Sequence, residues 1–166
     1  VESLRNRGYI VLEPDTGPLT GTDSGKGRLP APQEIFDALE AQFNANTGAL
    51  AARHIVISAG GTQEDWDPVR YIGNKSSGKQ GVALARAALA AGARVTLVVG
   101  HMDIDPPVGA EVIHAKSSAD MHKALIGLMD EQPDGVIMAA AVADFRPAQQ
   151  SAAKIKKAHR YQNLEL

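Results

Sequence analysis

The sequence predicts an α/β fold, a mostly parallel sheet in three layers preceded by a short loop-and-helix segment, and three observations carry that expectation. Short, β-branched apolar runs at 54–58, 94–99, 111–114 and 135–142 read as strands bounded by turn residues. Helical periodicity fills the intervals after the first and the third of them. The runs are apolar throughout instead of alternating, as in strands covered on both faces by helices.

Taken in order, Gly8 to Leu12 is a short β-like run and Glu13 to Pro18 a turn. Gly21 to Pro30, with glycines among Asp, Ser, Lys and Arg, reads as a loop. From Pro32 to Phe43 the residues Ile35, Phe36, Leu39 and Phe43 fall at one-face helical spacing, and Pro32 suits a first turn. Asn44 to Gly48 is a linker, so the expected units are residues 1–48 and 49–166. The strand His54 to Ser58 runs into Ala59-Gly60-Gly61-Thr62, and a polar stretch around Pro68 follows. Ser76-Ser77-Gly78-Lys79 then opens an Ala/Leu helix that stops at Gly92, a C-terminal glycine. Arg94 to Val99 and Glu111 to His114 are strands, and Ser117-x-x-Asp120 is a capping box for a helix carrying Met121, Leu125, Leu128 and Met129. Gly135 to Val142 is the last strand.

Composition bounds the function. Of 166 residues 44% are hydrophobic and 22% charged, a balance that supports a packed core. Three Phe, three Tyr and one Trp leave little for base stacking, and 17 basic against 19 acidic residues give no footprint for nucleic acid or an anionic membrane. The absence of Cys excludes a disulfide scaffold, thiolate–metal sites and a cysteine nucleophile in this chain. No run approaches the roughly 20 apolar residues of a membrane span, and no leader-like stretch opens the sequence, so a cytoplasmic address is expected. Because the first residue is Val1, an internal piece of a longer reading frame is expected as well.

Two small-residue segments point to an anionic ligand. Ala59-Gly60-Gly61-Thr62 leaves a strand at its carboxyl end, where open α/β sheets bind ligands, and Ser76-Ser77-Gly78 sits at a helix start whose N–H groups favour phosphate. A tight turn and a helix cap explain the same residues equally well. Neither a Walker pattern nor the strict dinucleotide spacing is present. Asp144, at the end of the last strand, and the cluster Lys154-Ile155-Lys156-Lys157 suit a ribose or metal and a triphosphate, or else a cap and a solvated charge run. The latter segment has no helical or strand period and is expected to ride on a mobile loop. His101, Asp103 and Asp105 alternate along an extended segment, but Pro106-Pro107 marks a surface loop, and no metal site is expected there. On residues alone an enzyme, a non-catalytic nucleotide-binding module and an NAD(P)-dependent reductase all stay open.

Ordered motifs go further. Ile57-Ser58-Ala59-Gly60-Gly61-Thr62, then Asp67-Pro68-Val69-Arg70-Tyr71-Ile72-Gly73-Asn74-Lys75-Ser76-Ser77-Gly78, then Ala140-Ala141-Val142-Ala143-Asp144-Phe145, then Lys154-Ile155-Lys156-Lys157 closely resemble phosphopantothenate-cysteine ligase over about Ala51 to Lys157. The resemblance implies a Rossmann-like fold and a CTP-dependent reaction that activates 4'-phosphopantothenate as an acyl-cytidylate and then forms an amide with L-cysteine. It implies nucleotide contacts at Gly60, Ser76, Ser77, Gly78, Asp144 and Phe145, with Lys154 neutralising the triphosphate. Asn74 matches the family's catalytic Asn, and Arg70 joins it on the substrate side. Mg2+ with the nucleotide, ligands unassigned, and a ligase dimer in the complete protein are implied too.

Gly17-Pro18-Leu19 through Gly25-Lys26-Gly27-Arg28-Leu29-Pro30 is similar to the carboxyl tail of the flavin-dependent phosphopantothenoylcysteine decarboxylase that many bacteria fuse ahead of the ligase. FMN belongs to that domain. Where many decarboxylases carry Ala-Cys-Gly-Asp, this chain has Thr20-Gly21-Thr22-Asp23, so Gly21 takes the reactive Cys position and no decarboxylation is expected of this chain. The tail Ala158 to Leu166 does not resemble the ligase's continuation, so the ligase unit is expected to be incomplete at its carboxyl end.

Overall fold

The computed structural model describes residues 1–156. Its centre is a four-stranded, all-parallel sheet of β3 (His54–Ala59), β6 (Arg94–Val99), β7 (Glu111–His114) and β8 (Gly135–Met138) in the order β7-β6-β3-β8. Helix α3 (Lys79–Ala90) covers one face and α4 (Ser118–Met129) the other, the three layers that the apolar runs predict. Successive residues of a strand point to opposite faces. Accordingly Ile57, Ala59, Val95, Leu97 and Val99 pack with Val82 and Ala85 of α3. Val56 and Val98 pack with Met121, Leu125 and Leu128 of α4.

The caps form as the sequence dictates. Ser117 accepts from the Asp120 amide while the Asp120 carboxylate accepts from the Ser117 amide, closing the capping box of α4. Past the end of α3, Gly92 takes φ +89°, and a Cβ there would lie 2.2 Å from the Asn44 carbonyl oxygen of α2 (Pro32–Asn44). At the amino end of the sheet the Asp134 carboxylate accepts from the His54 amide (2.8 Å) and from Arg53 (2.6 Å).

Several expectations need correction. The β-like run at 8–12 lies outside any strand, and a one-turn helix, α1 (Glu2–Arg5), precedes it. The supposed turn at 13–18 and loop at 21–30 hold instead an antiparallel hairpin of β1 (Asp15–Pro18) and β2 (Ser24–Arg28), with Thr20 to Asp23 at its tip. It escaped the periodicity because its strands are largely exposed, so no apolar alternation marks them. The polar stretch after Thr62 is a second hairpin, β4 (Gln63–Asp67) and β5 (Arg70–Gly73).

The last strand ends at Met138, four residues short of Val142, and is not buried on both faces. It lies at the edge of the sheet, leaving Val136 41% and Met138 63% exposed. Helix α2 keeps Phe36, Leu39 and Phe43 exposed, and meets α3 through Asn44, whose Nδ2 donates to the Ala90 carbonyl (2.7 Å). No helix among the described residues is long and apolar enough to cross a membrane.

Where α3 begins, its backbone is pressed against β3. A Cβ on Gly81 would sit 2.4 Å from the Ala59 Cβ and 3.0 Å from its Cα, neither of which can swing away. Gly127 of α4, by contrast, has nothing within 4 Å of the same position. Replacing a helical Gly by Ala gains about 1 kcal/mol of propensity, whereas overpacking costs about 1–3 kcal/mol. Gly81→Ala is therefore expected to lower the urea midpoint and Gly127→Ala to raise it. Equal shifts of the same sign would disprove the close approach of α3 to β3.

Candidate ligand site at the carboxyl end of the sheet

From β3 the chain proceeds outward through β6 to β7, then returns through α4 to place β8 on the other side of β3. Strand order therefore reverses beside β3, and in an open parallel sheet the loops at such a switch point enclose the ligand crevice. Ala59-Gly60-Gly61-Thr62 and the segment after β8 are those loops.

They are tied together by the main chain and two buried hydroxyls. The Ala141 amide donates to the Gly60 carbonyl (2.7 Å), and Gly61 exchanges hydrogen bonds with His101 (2.8 and 2.9 Å). Ser58 Oγ accepts from the amides of Ala139 (3.1 Å) and Ala140 (3.2 Å), and Thr62 Oγ1 accepts from Ala143 (2.8 Å). Ser58 and Thr62 are completely buried, so these bonds satisfy groups that would otherwise be costly to enclose.

Gly60 and Gly78 both have positive φ (+79° and +76°) and both lie under Met102, whose side chain would meet a Cβ at 2.7 and 2.6 Å. Gly78 is also the N-cap of α3, where no side chain caps the helix and the Gly78 amide lies 3.4 Å from Ser76 Oγ. Both glycines are buried, so packing under Met102 is what requires them here.

The hairpin β4–β5 carries Asn74 from its far end back to the crevice. Asn74 Nδ2 donates to the Val142 carbonyl (2.8 Å), which orients the amide beside the segment leading to Asp144 and Phe145. Those two side chains are exposed, as is Lys154. Lys154 does not stand on a free loop, however. The Ser151 amide donates to the Trp66 carbonyl (2.9 Å), and Ile155 is gripped by Asp67 and Arg70. Arg70 also stacks on the Trp66 ring, 4.4 Å from its centroid. Lys157 and the tail 158–166 lie outside the described residues.

Asp67 is a site residue that apolar periodicity could not reveal. The carboxylate is buried, accepting from the Val69 amide (2.9 Å), Arg70 Nε (3.0 Å) and Nη2, and the Ile155 amide (3.1 Å). Its sequence signal is the short turn Asp67-Pro68-Val69-Arg70, an acid and a base three residues apart. The hydrogen bonds from Arg70 hold the Asp67 carboxyl well below the usual carboxylate range, with burial opposing and the Val69 and Ile155 amides assisting.

Among the described residues no three His, Asp or Glu side chains gather to hold a metal ion. His101 and Asp103 lie 3.8 Å apart, both exposed.

The fold defines an open parallel α/β protein whose strand order reverses beside β3. The chain belongs to the DNA/pantothenate metabolism flavoprotein C-terminal domain family, whose model matches residues 50–166. That match includes the tail, correcting the expectation that 158–166 departs from the family. The chain is 51% identical over 161 residues to the coenzyme A biosynthesis bifunctional protein CoaBC of Mycobacterium tuberculosis, covering 95% of this chain and 38% of that protein. It is 45% identical to the CoaBC protein of Bacillus subtilis, covering 100% and 41%. A crystal structure of the C-terminal domain of a CoaBC protein aligns with a TM-score of 0.59 at 42% identity, over 63% of this chain and 53% of that one. The chain thus spans about two fifths of the length of these curated relatives.

The depressed Asp67 titration has a pH consequence. A carboxyl lowered in the folded state contributes stability above its unfolded pKa, about 4, and loses it as pH falls from there toward the folded value. The melting temperature is therefore expected to fall below about pH 4. Asp67→Asn should be less stable at pH 7 and show a shallower acid limb. Parallel limbs for the two proteins would mean that Asp67 does not contribute to the acid response.

Proposed function

We propose that residues 49–166 are a ligase unit that joins 4'-phosphopantothenate to L-cysteine in coenzyme A biosynthesis, with residues 1–48 the tail of a preceding decarboxylase domain. The observation that carries the reading is the convergence of the Gly60 loop, Asn74 and the segment leading to Asp144 at the switch point, in a chain 45–51% identical to CoaBC proteins. FMN has no part in this chain's chemistry on this reading, and the complete protein works as a homo-oligomer through a ligase dimer, in the cytoplasm.

The reaction proceeds in two displacements. A carboxylate oxygen of 4'-phosphopantothenate attacks the α-phosphorus of CTP, and the bond to the β-phosphate breaks to release pyrophosphate. The cysteine amine then attacks the acyl carbon, loses its proton, and CMP departs to leave the amide. Gly60, Ser76, Ser77 and Gly78 contact the phosphates through backbone N–H groups and hydroxyls, as a helix start suits. Asp144 and Phe145 take the cytidine. Mg2+ bound with the nucleotide would help neutralise the triphosphate charge.

Lys154 neutralises charge that shifts onto departing pyrophosphate, an interaction stronger in the transition state than in the bound substrate. Arg70, the first residue of β5, and Asn74, just after its end, take the substrate side. One Asn74 N–H is committed to Val142, which leaves the second to hold the acyl carbonyl for attack without titrating.

The test is carried out in the full-length protein. CTP should raise its melting temperature more than ATP or NADPH does, since a ligand binding only the native state stabilises it in proportion to affinity. Preferential stabilisation by NADPH would replace this reading with a reductase. Lys154→Gln is expected to slow pyrophosphate release in the absence of cysteine by about 10²–10³-fold, the typical effect of losing one such contact. Asn74→Ala should spare that release yet let acyl-cytidylate accumulate, visible by mass spectrometry of quenched reactions. Normal rates in both variants would remove both residues from the mechanism.

A further inference from the structure

We infer that Asp67 is a positioning residue for Lys154: its buried carboxylate, together with Arg70, fixes the segment on which Lys154 stands. The inference rests on the proposed role of Lys154 but is argued from geometry. Residues 151–156 contain no helix or strand, so the sheet gives them no ladder to join. Two attachments hold them to the β4–β5 hairpin. One is the Ser151 amide on the Trp66 carbonyl (2.9 Å). The other uses both backbone groups of Ile155, whose amide donates to Asp67 Oδ2 (3.1 Å) and whose carbonyl accepts from Arg70 Nη2 (2.9 Å). Lys154 lies between these attachments, one residue from the second.

The chemistry of the clasp is specific to a carboxylate and a guanidinium. Oδ1 accepts from Val69 and Oδ2 from Arg70 and Ile155, so every partner of Asp67 is a donor. Asn at this position is nearly isosteric, but its NH2 group must face one of those donors, and its oxygen carries no charge to hold the guanidinium. The Arg70 guanidinium in turn lies over the Trp66 ring, while its fork donates to Asp67 and to the Ile155 carbonyl. A lysine side chain has four rotatable carbons and finds a triphosphate only if its backbone is already placed. The clasp supplies that placement and contributes no net charge of its own, because Asp67 and Arg70 cancel.

The experiment compares the full-length wild type with Asp67→Asn, Lys154→Gln and the double variant. Native-state trypsin cleavage after Lys154, followed by mass spectrometry, reads the clasp directly, with cleavage after Lys123 in α4 reporting global opening. Asp67→Asn is expected to raise cleavage after Lys154 at least tenfold while leaving Lys123 protected. Unchanged cleavage after Lys154, or equal acceleration at both sites, would overturn the proposal in favour of a purely structural aspartate.

The second readout is pyrophosphate release. Asp67→Asn should lower kcat at least tenfold in a wild-type background and less than twofold when Lys154 is already Gln, since a residue acting through Lys154 has nothing left to position. Additive losses in the double variant would overturn the proposal. If Lys154→Gln alone leaves release unchanged, the proposed role of Lys154 fails, and the proteolysis result still decides whether Asp67 holds the segment. Should Asp67→Asn prove unfolded, Arg70→Lys, which keeps the charge but loses the fork, replaces it in the proteolysis with the same expectations, since Arg70 also stands on the proposed substrate side and its kcat would not report positioning alone.

Discussion

Everything at the ligand end depends on β3 being a central parallel strand, hydrogen-bonded to β6 on one side and β8 on the other. Parallel strands need crossovers, and the crossovers cover both faces with helices, so β3 is enclosed and its interior must be apolar. Val56, Ile57 and Ala59 meet that demand, but Ser58 does not, and neither does the buried Thr62 just past the strand's end. These two hydroxyls lie on the side where β8 ends early, and they supply the acceptors for amides of 139–143 that have left the ladder. The strand thus organises its neighbours to its own end and, by hydroxyls instead of carbonyls, slightly beyond it. That is where the loops gather.

Close approach is the second constraint. The turn after β3, the start of α3 and the 100–102 segment occupy so little volume that a Cβ on Gly60, Gly78, Gly81 or Gly100 would meet a neighbour under 3.0 Å away. Glycine is needed here for packing before any ligand is considered. All four positions are crowded by neighbouring backbone or by Met102, which is reason enough for glycine at each. This is why the residues alone could not separate a turn and cap from a phosphate site.

The parts of the fold legible in the sequence are those where burial writes a period. The four strands of the parallel sheet, the α4 capping box and the Gly92 terminus of α3 follow from apolar runs and from cap chemistry, and all but β8, which ends short at Met138, stand where expected. Two hairpins carry no apolar period: β1–β2 because its strands are largely exposed, and β4–β5 because its buried residues are polar, Glu64 as the acceptor of the Ser118 amide (2.7 Å) and Asp67 as the centre of the clasp. Strand β8 misled in the opposite way, since an apolar run says that a strand can be buried and nothing about whether another strand lies beyond it. For the site, Asn74, Arg70 and Lys154 were named by resemblance to a family. The contacts that place them, Asn74 on Val142 at one end of the β4–β5 hairpin and Asp67 and Arg70 on Ile155 at the other, are side-chain hydrogen bonds that no periodicity encodes.

Asp67 and Asp134 make the comparison that explains the hairpin's grip. Both are aspartates whose carboxyls are lowered by hydrogen bonds, Asp134 first by the His54 amide and Asp67 first by Arg70. Asp134 holds the entry of β3 with Arg53, whose side chain is 61% exposed, so water competes for that pair. Asp67 is fully buried and shares its charge with an Arg70 stacked on Trp66. A charge enclosed in this way is costly unless every lone pair is used, and using them all fixes the positions of every donor at once. The Ile155 amide is one of those donors. A chain segment with no secondary structure of its own is therefore located as firmly as the buried carboxylate requires, while Lys154, one residue away, keeps its exposed ammonium outside the arrangement and able to meet a separate charge.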